Sequence, residues 1–118
     1  MRIEDIAAIC YEVNRAYSKM YDNSVQIDWE LAPAWAKRNV CDGVKFVLSK
    51  TDCTPQQWHE FWCKEKKDEG WQYGKEHLLV LKTHPCILPW DKLSKEQKHK
   101  AQIFVSTVNA LRDNDDNV

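Results

Sequence analysis

No uninterrupted apolar run of the ~18 residues needed by a membrane-spanning helix occurs in the sequence, which excludes a span of that kind. The opening residues, MRIEDIAAIC, carry acids early and lack a small-residue cleavage site, so no signal peptide is expected. An excess of charge is also lacking. Seventeen Lys and Arg stand against 18 Asp and Glu, a net charge of −1. Neither nucleic acid nor an anionic membrane is therefore an expected partner. The densest basic cluster, Lys64, Lys66 and Lys67, is cancelled by Glu65, Asp68 and Glu69. The five cysteines form no CxxC pair, and their odd number and wide spacing fit buried free thiols in a reducing cytoplasm. No P-loop, GxGxxG or HExxH is present, so no enzyme, cofactor or metal centre is expected. Internal repeats, linkers and low-complexity segments are missing too.

What is present reads as one domain over residues 1–111, with a polar, frayed tail at 112–118. Residues 3–21 place apolar groups at Ile6, Cys10, Val13, Tyr17 and Met20 or Tyr21, an amphipathic helix that Asp22, Asn23 and Ser24 end. Pro33 fits the first turn of a second helix with the stripe Ala36, Val40, Val44, Val47 and Leu48. Gly43 interrupts that stripe, and a close helix crossing would explain it. In TDCTPQQWHEFW, Thr54, Pro55 and Gln57 supply a capping box for a third helix running to about Glu69, with Gly70 just beyond it. Trp58 and Trp62, four apart, are expected to stack along one side. WQYG and HLLVLKT suit two short strands of a hairpin or ribbon. Ser94 and Gln97 start a fourth helix whose apolar side is Ala101, Phe104, Val105, Val108 and Leu111. The expected fold is mainly α: a compact four-helix domain with a two-stranded β-ribbon between helices three and four.

Six tryptophans are too many for the centre of so small a core, because each indole N–H wants a partner. Some are expected at a cleft or an interface. HEFWCKEKKDEGWQYG, followed by HPCILPWDKLSKEQ, resembles the RyR domain. That repeat occurs in tandem pairs in ryanodine receptor calcium channels and singly in small bacterial and phage proteins. YEVNRAYSKMYDNS resembles the family's opening helix, and WELAPAW and GVKFVL resemble its second block. The resemblance runs from about residue 10 to about residue 100. KEHLLVLKT is more apolar than the family's connection, and the last helix departs from it after Lys100. The resemblance implies a mostly helical, non-enzymatic binding module. One pair of channel repeats is reported as an adenine-nucleotide site lined by tryptophans. A nucleotide or nucleotide-derived small molecule is thus one implied partner. The channels' pairing implies the alternative, a homodimer formed by self-association.

Candidate site residues follow. Trp62, Trp71 and Tyr73 could form a stacking slot for a planar ring, or could plug the join between helix and ribbon. Trp62 matches the position at which the channel repeats carry a ligand-stacking tryptophan. Arg15 can grip a carboxylate or phosphate, or can pair with Glu12, Asp22 or Asp28 and fix the loop after the first helix. Lys66 could reach the slot and meet a phosphate. His84 sits beside Pro85 and Cys86, where a Cys–His dyad is the remote reading and buried backbone bonding the plain one. His59 and Cys63 have a spacing that can ligate metal, but no cysteine knuckle completes it. His59 is read as structural or ligand-facing.

Overall fold

Two of the α-helix starts in this chain are set by side chains. Thr54 accepts from the Gln57 backbone N–H at 3.1 Å, and the Gln57 side chain accepts from the Thr54 N–H at 3.0 Å. This reciprocal box opens α3 (Pro55–Asp68), as the sequence predicts. Ser94 accepts from the Gln97 N–H at 3.2 Å and opens α4 (Lys95–Leu111). Two more helices precede them, α1 (Ile3–Asp22) and α2 (Ala34–Leu48). Pro33 is the N-cap of α2 in extended backbone, one position before the helical turn expected for it. The computed structural model describes residues 1–22 and 26–112, with Asp22 described by its backbone alone. The expected terminators Asn23 and Ser24 and the tail from 113 lie outside the described residues, as does any pairing of the Asp22 side chain.

The architecture is a compact, mainly helical domain with a small two-stranded sheet between α3 and α4. α1 packs on α4 and α2, and α3 packs on α4. Ile6, Ala7 and Cys10 of α1, Val44 and Val47 of α2, and Phe104, Val105 and Val108 of α4 meet in one core. The apolar sides expected for α2 and α4 hold. The expected face of α1 holds at Ile6 and Cys10 and fails beyond them. Its buried side carries Ala7 and Ser18 along with Ile6 and Cys10, while Val13 is exposed and Met20 is 77 % exposed. The helix has turned so that small side chains, which permit close approach, face its neighbours.

Gly43 bears out the expected crossing. A Cβ there would lie 3.0 Å from Trp58 Nε1 and 3.1 Å from Phe104 Cζ. Trp58 stacks on Phe104, with ring centroids 4.6 Å apart. The expected Trp58–Trp62 stack is therefore replaced, since Trp62 turns to His59 and His84. Arg112 donates to the carbonyls of Val47 at 3.0 Å and Lys50 at 3.0 Å, which ties the end of α4 to the end of α2.

The ribbon differs from a hairpin. β1 (Gln72–Tyr73) and β2 (Thr83–His84) run parallel, Gln72 opposite Thr83 and Tyr73 opposite His84. Parallel strands cannot be joined by a tight turn. Most of HLLVLKT therefore becomes the connection, closed by a bridge between Leu78 and Thr83. Its apolar tip faces water, and Val80 is 94 % exposed. Among the described residues no helix is long and apolar enough to cross a membrane.

Gly43→Ala gains up to about 1 kcal/mol of helix propensity. It forces the Trp58–Phe104 stack apart, an overpacking penalty of typically about 1–3 kcal/mol. Urea unfolding is expected to find the variant less stable than the parent.

Candidate functional site

A cleft of about 570 Å³ opens beside the Trp58–Phe104 stack and takes walls from all four helices and the ribbon. α3 supplies His59, Trp62 and Lys66. The segment around β2 supplies His77 and His84, and α4 supplies Lys100. Asn14 and Ser18 of α1 close the opposite side.

Lys66 is the least ordinary residue in this wall. It is only 9 % exposed, yet it forms no salt bridge among the described residues. Its Nζ stands 5.0 Å from the Trp71 ring centroid, 5.7 Å from Trp35 and 6.0 Å from Trp62. The end of α3 explains how Trp71 gets there. The Gly70 N–H donates to Lys67 O at 3.0 Å, and the Trp71 N–H donates to Lys66 O at 2.9 Å. These two bonds, with Gly70 at φ +93°, form a Schellman turn that folds Trp71 back over Lys66. Each ring over an ammonium contributes about 0.5–2 kcal/mol. Taking the charge out of water opposes this by several kcal/mol. Burial accordingly pushes the Lys66 amine below its ordinary value, with Glu69 pulling it partly back.

The cleft histidines His59, His77 and His84 are held towards the neutral form. The His84 Nδ1 accepts the Cys86 backbone N–H at 3.0 Å, which leaves the ring proton on Nε2. Burial, then His77, Lys66 and Lys100, push His84 down to about 3. His77, whose ring centroid lies 4.4 Å from that of His84, is lowered by burial and by Lys66. His59 is buried and donates from Nε2 to Leu88 O at 2.7 Å. Burial lowers it as well, against the pull of that bond. Burial pushes the Cys86 thiol up to about 11, so it is protonated at neutral pH and a poor nucleophile. Among the described residues no group of three His, Cys, Asp or Glu is placed to hold a metal ion.

Of the seven residues singled out in the sequence, Trp62, Lys66, His84 and His59 line the cleft. Trp71 is buried and backs the wall through Lys66 and the two histidines. Tyr73 is exposed on β1, away from the lining. Arg15 points elsewhere. It pairs with Glu12 at 3.3 Å and donates to Gln26 O at 3.2 Å, which fixes the segment after α1. Sequence reasoning missed Trp35, His77 and Lys100 as parts of the site. Among the described residues, Asn14 Oδ1 and Trp58 Nε1 are buried in the wall without a hydrogen-bond partner.

The RyR domain family model matches residues 47–113, more than half of the chain, and the chain belongs to that family. The matched stretch holds α3, the ribbon and α4, hence most of the cleft wall. It also runs through the helix after Lys100, where the sequence suggests a departure. The resemblance noted between residue 10 and residue 46 lies outside it.

The neutral histidines set a pH dependence. Above the ordinary histidine value of 6.5 neither folded nor unfolded chain carries charge at His84. Below it the unfolded chain binds a proton that the folded chain refuses until about pH 3. Stability is thus fullest above 6.5 and falls as pH drops through that window. Thermal melts from pH 7 to pH 4 are expected to show this slope. His84→Asn, whose side-chain oxygen can still accept the Cys86 N–H, is expected to make it shallower, with His59 and His77 supplying the remainder.

Proposed function

We propose that this RyR domain is a non-enzymatic binding module whose cleft accepts a nucleotide-like planar anion. The observation that carries this reading is the Lys66 amine, buried in the wall of an open cleft, ringed by indoles and without a salt bridge among the described residues, with Glu69 its one compensating carboxylate. A cation so placed, only partly compensated by Glu69, favours an anion as its counter-charge. Lys100 adds a second cation to the same wall. Trp62 offers a ring for stacking, and the cleft volume falls within the ~300–1,000 Å³ of small-molecule sites.

Titration with ATP, ADP-ribose and cyclic nucleotides is expected to change tryptophan fluorescence and raise the melting temperature. Loss of one base–aromatic stack is worth about 1–3 kcal/mol. Trp62→Ala is therefore expected to weaken binding about 5- to 150-fold while the fold survives. An anion at Lys66 also restores its proton, so affinity is expected to fall as pH rises. Unchanged fluorescence and melting at millimolar ligand would sink the reading.

One observation favours a second reading, self-association with a second copy of the chain. Leu79, Val80 and Leu81 are exposed together on a turn whose backbone is closed by Leu78–Thr83 and Lys82–Leu79 bonds. Sedimentation at micromolar concentration is expected to find a dimer on this reading and a monomer for Val80→Asp. A strict monomer for the parent chain leaves the first reading alone.

A further inference from the structure

The same wall bears a chemical feature that anion binding does not use. Lys66 Nζ is fixed by Trp35, Trp62 and Trp71, it borders a cleft large enough for a small molecule, and it forms no salt bridge among the described residues. Two imidazoles, His77 and His84, share the cleft with it. A lysine removed from water is the arrangement that turns an ammonium into a nucleophilic amine.

We propose that Lys66 is a reactive amine that captures an aldehyde-bearing ligand in the cleft as an imine. The amine lone pair attacks the carbonyl carbon, and the C=O π pair moves to oxygen. A proton passes from nitrogen to that oxygen to give the carbinolamine. The nitrogen lone pair then forms C=N, the C–O bond breaks, and one water leaves with a second proton on its oxygen. Amine plus aldehyde gives imine plus water, with no change of oxidation state. Burial lowers the Lys66 amine, which leaves more of it neutral for the first step. The neutral imidazoles His77 and His84 add no positive charge that would compete for the ligand's electrons. Lys100, which lines the same cleft, would hold an anionic group of the same ligand. The ligand class is thus a small aldehyde or open-chain sugar carrying a planar or anionic part.

The inference shares the cleft with the reading above but does not require a nucleotide. Pyridoxal 5′-phosphate, a planar anionic aldehyde, is a suitable probe on the full chain. The expected result is a visible imine band and, after borohydride reduction, a label that peptide mass mapping places on Lys66 ahead of the exposed lysines. Lys66→Arg, which keeps the charge and cannot form the imine, is expected to lose that label. Because mapping of the parent protein decides the matter, a variant that fails to fold does not weaken the test. Label spread over exposed lysines with Lys66 bare overturns the inference, even if nucleotides bind. Label on Lys66 with no nucleotide response leaves it standing and sinks the other reading.

Discussion

Lys66 holds an amine almost wholly out of water with no salt bridge among the described residues, and much of the molecule's middle is arranged around that fact. Such a group is tolerated only where something replaces its hydration. Three indole faces do so, and each arrives by a different route. Trp62 comes from the preceding turn of the same helix, at the i−4 spacing that puts side chains on one face. Trp71 comes from the Schellman turn at the helix end, where Gly70 accepts a positive φ that other residues resist. Trp35 comes across from α2. The parallel ribbon follows from the same turn, because Gln72 must leave α3 in the direction that lets it donate to Lys82 O at 2.9 Å.

The charge around Lys66 fits this constraint. A chain with nearly balanced overall charge places two lysines and three histidines in the lining of the cleft, along with Asp42, Glu65 and Glu69. A charged His77 or His84 would be repelled by Lys66. The repulsion is relieved at the histidines, which stay neutral because imidazole releases its proton far more readily than an ammonium. His84 shows the result most strongly, since burial and both lysines act on it in the same direction. The wall around Lys66 therefore combines amine charge with neutral rings, while Asp42, Glu65 and Glu69 line the same cleft.

The parts of this arrangement that were legible in the sequence are those decided locally. The Thr54–Gln57 box, the Ser94 cap and the Gly70 terminus depend on residues within a few positions of one another, and each forms as the pattern predicts. Trp62 and Lys66 were legible because both lie on one well-marked helix. Trp35 was not, since nothing in WELAPAW indicates which distant side chain its ring will cover. The face of α1 was misread for a different reason. Its apolar residues fit two overlapping stripes, and only the neighbours decide between them. They chose Ala7 and Ser18, which allow tight packing, and left Met20 and Tyr21 in water. HLLVLKT misled through composition. Its β-branched and aliphatic residues suit a strand, but β1 pairs in parallel and needs a connection of that length.

Gly43 explains why the cleft remains open beside so many apolar rings. With no side chain at that point, α2 comes close enough for Trp58 and Phe104 to stack flat against it. The stack then forms one wall of the cleft. Among the described residues Trp58 Nε1 and Asn14 Oδ1 find no partner in that wall, and an unsatisfied buried polar atom costs about 1–3 kcal/mol. A core optimised for stability alone would remove both. Their presence, together with a buried amine, is the pattern of a fold that gives up some stability to keep a shaped, charged hollow.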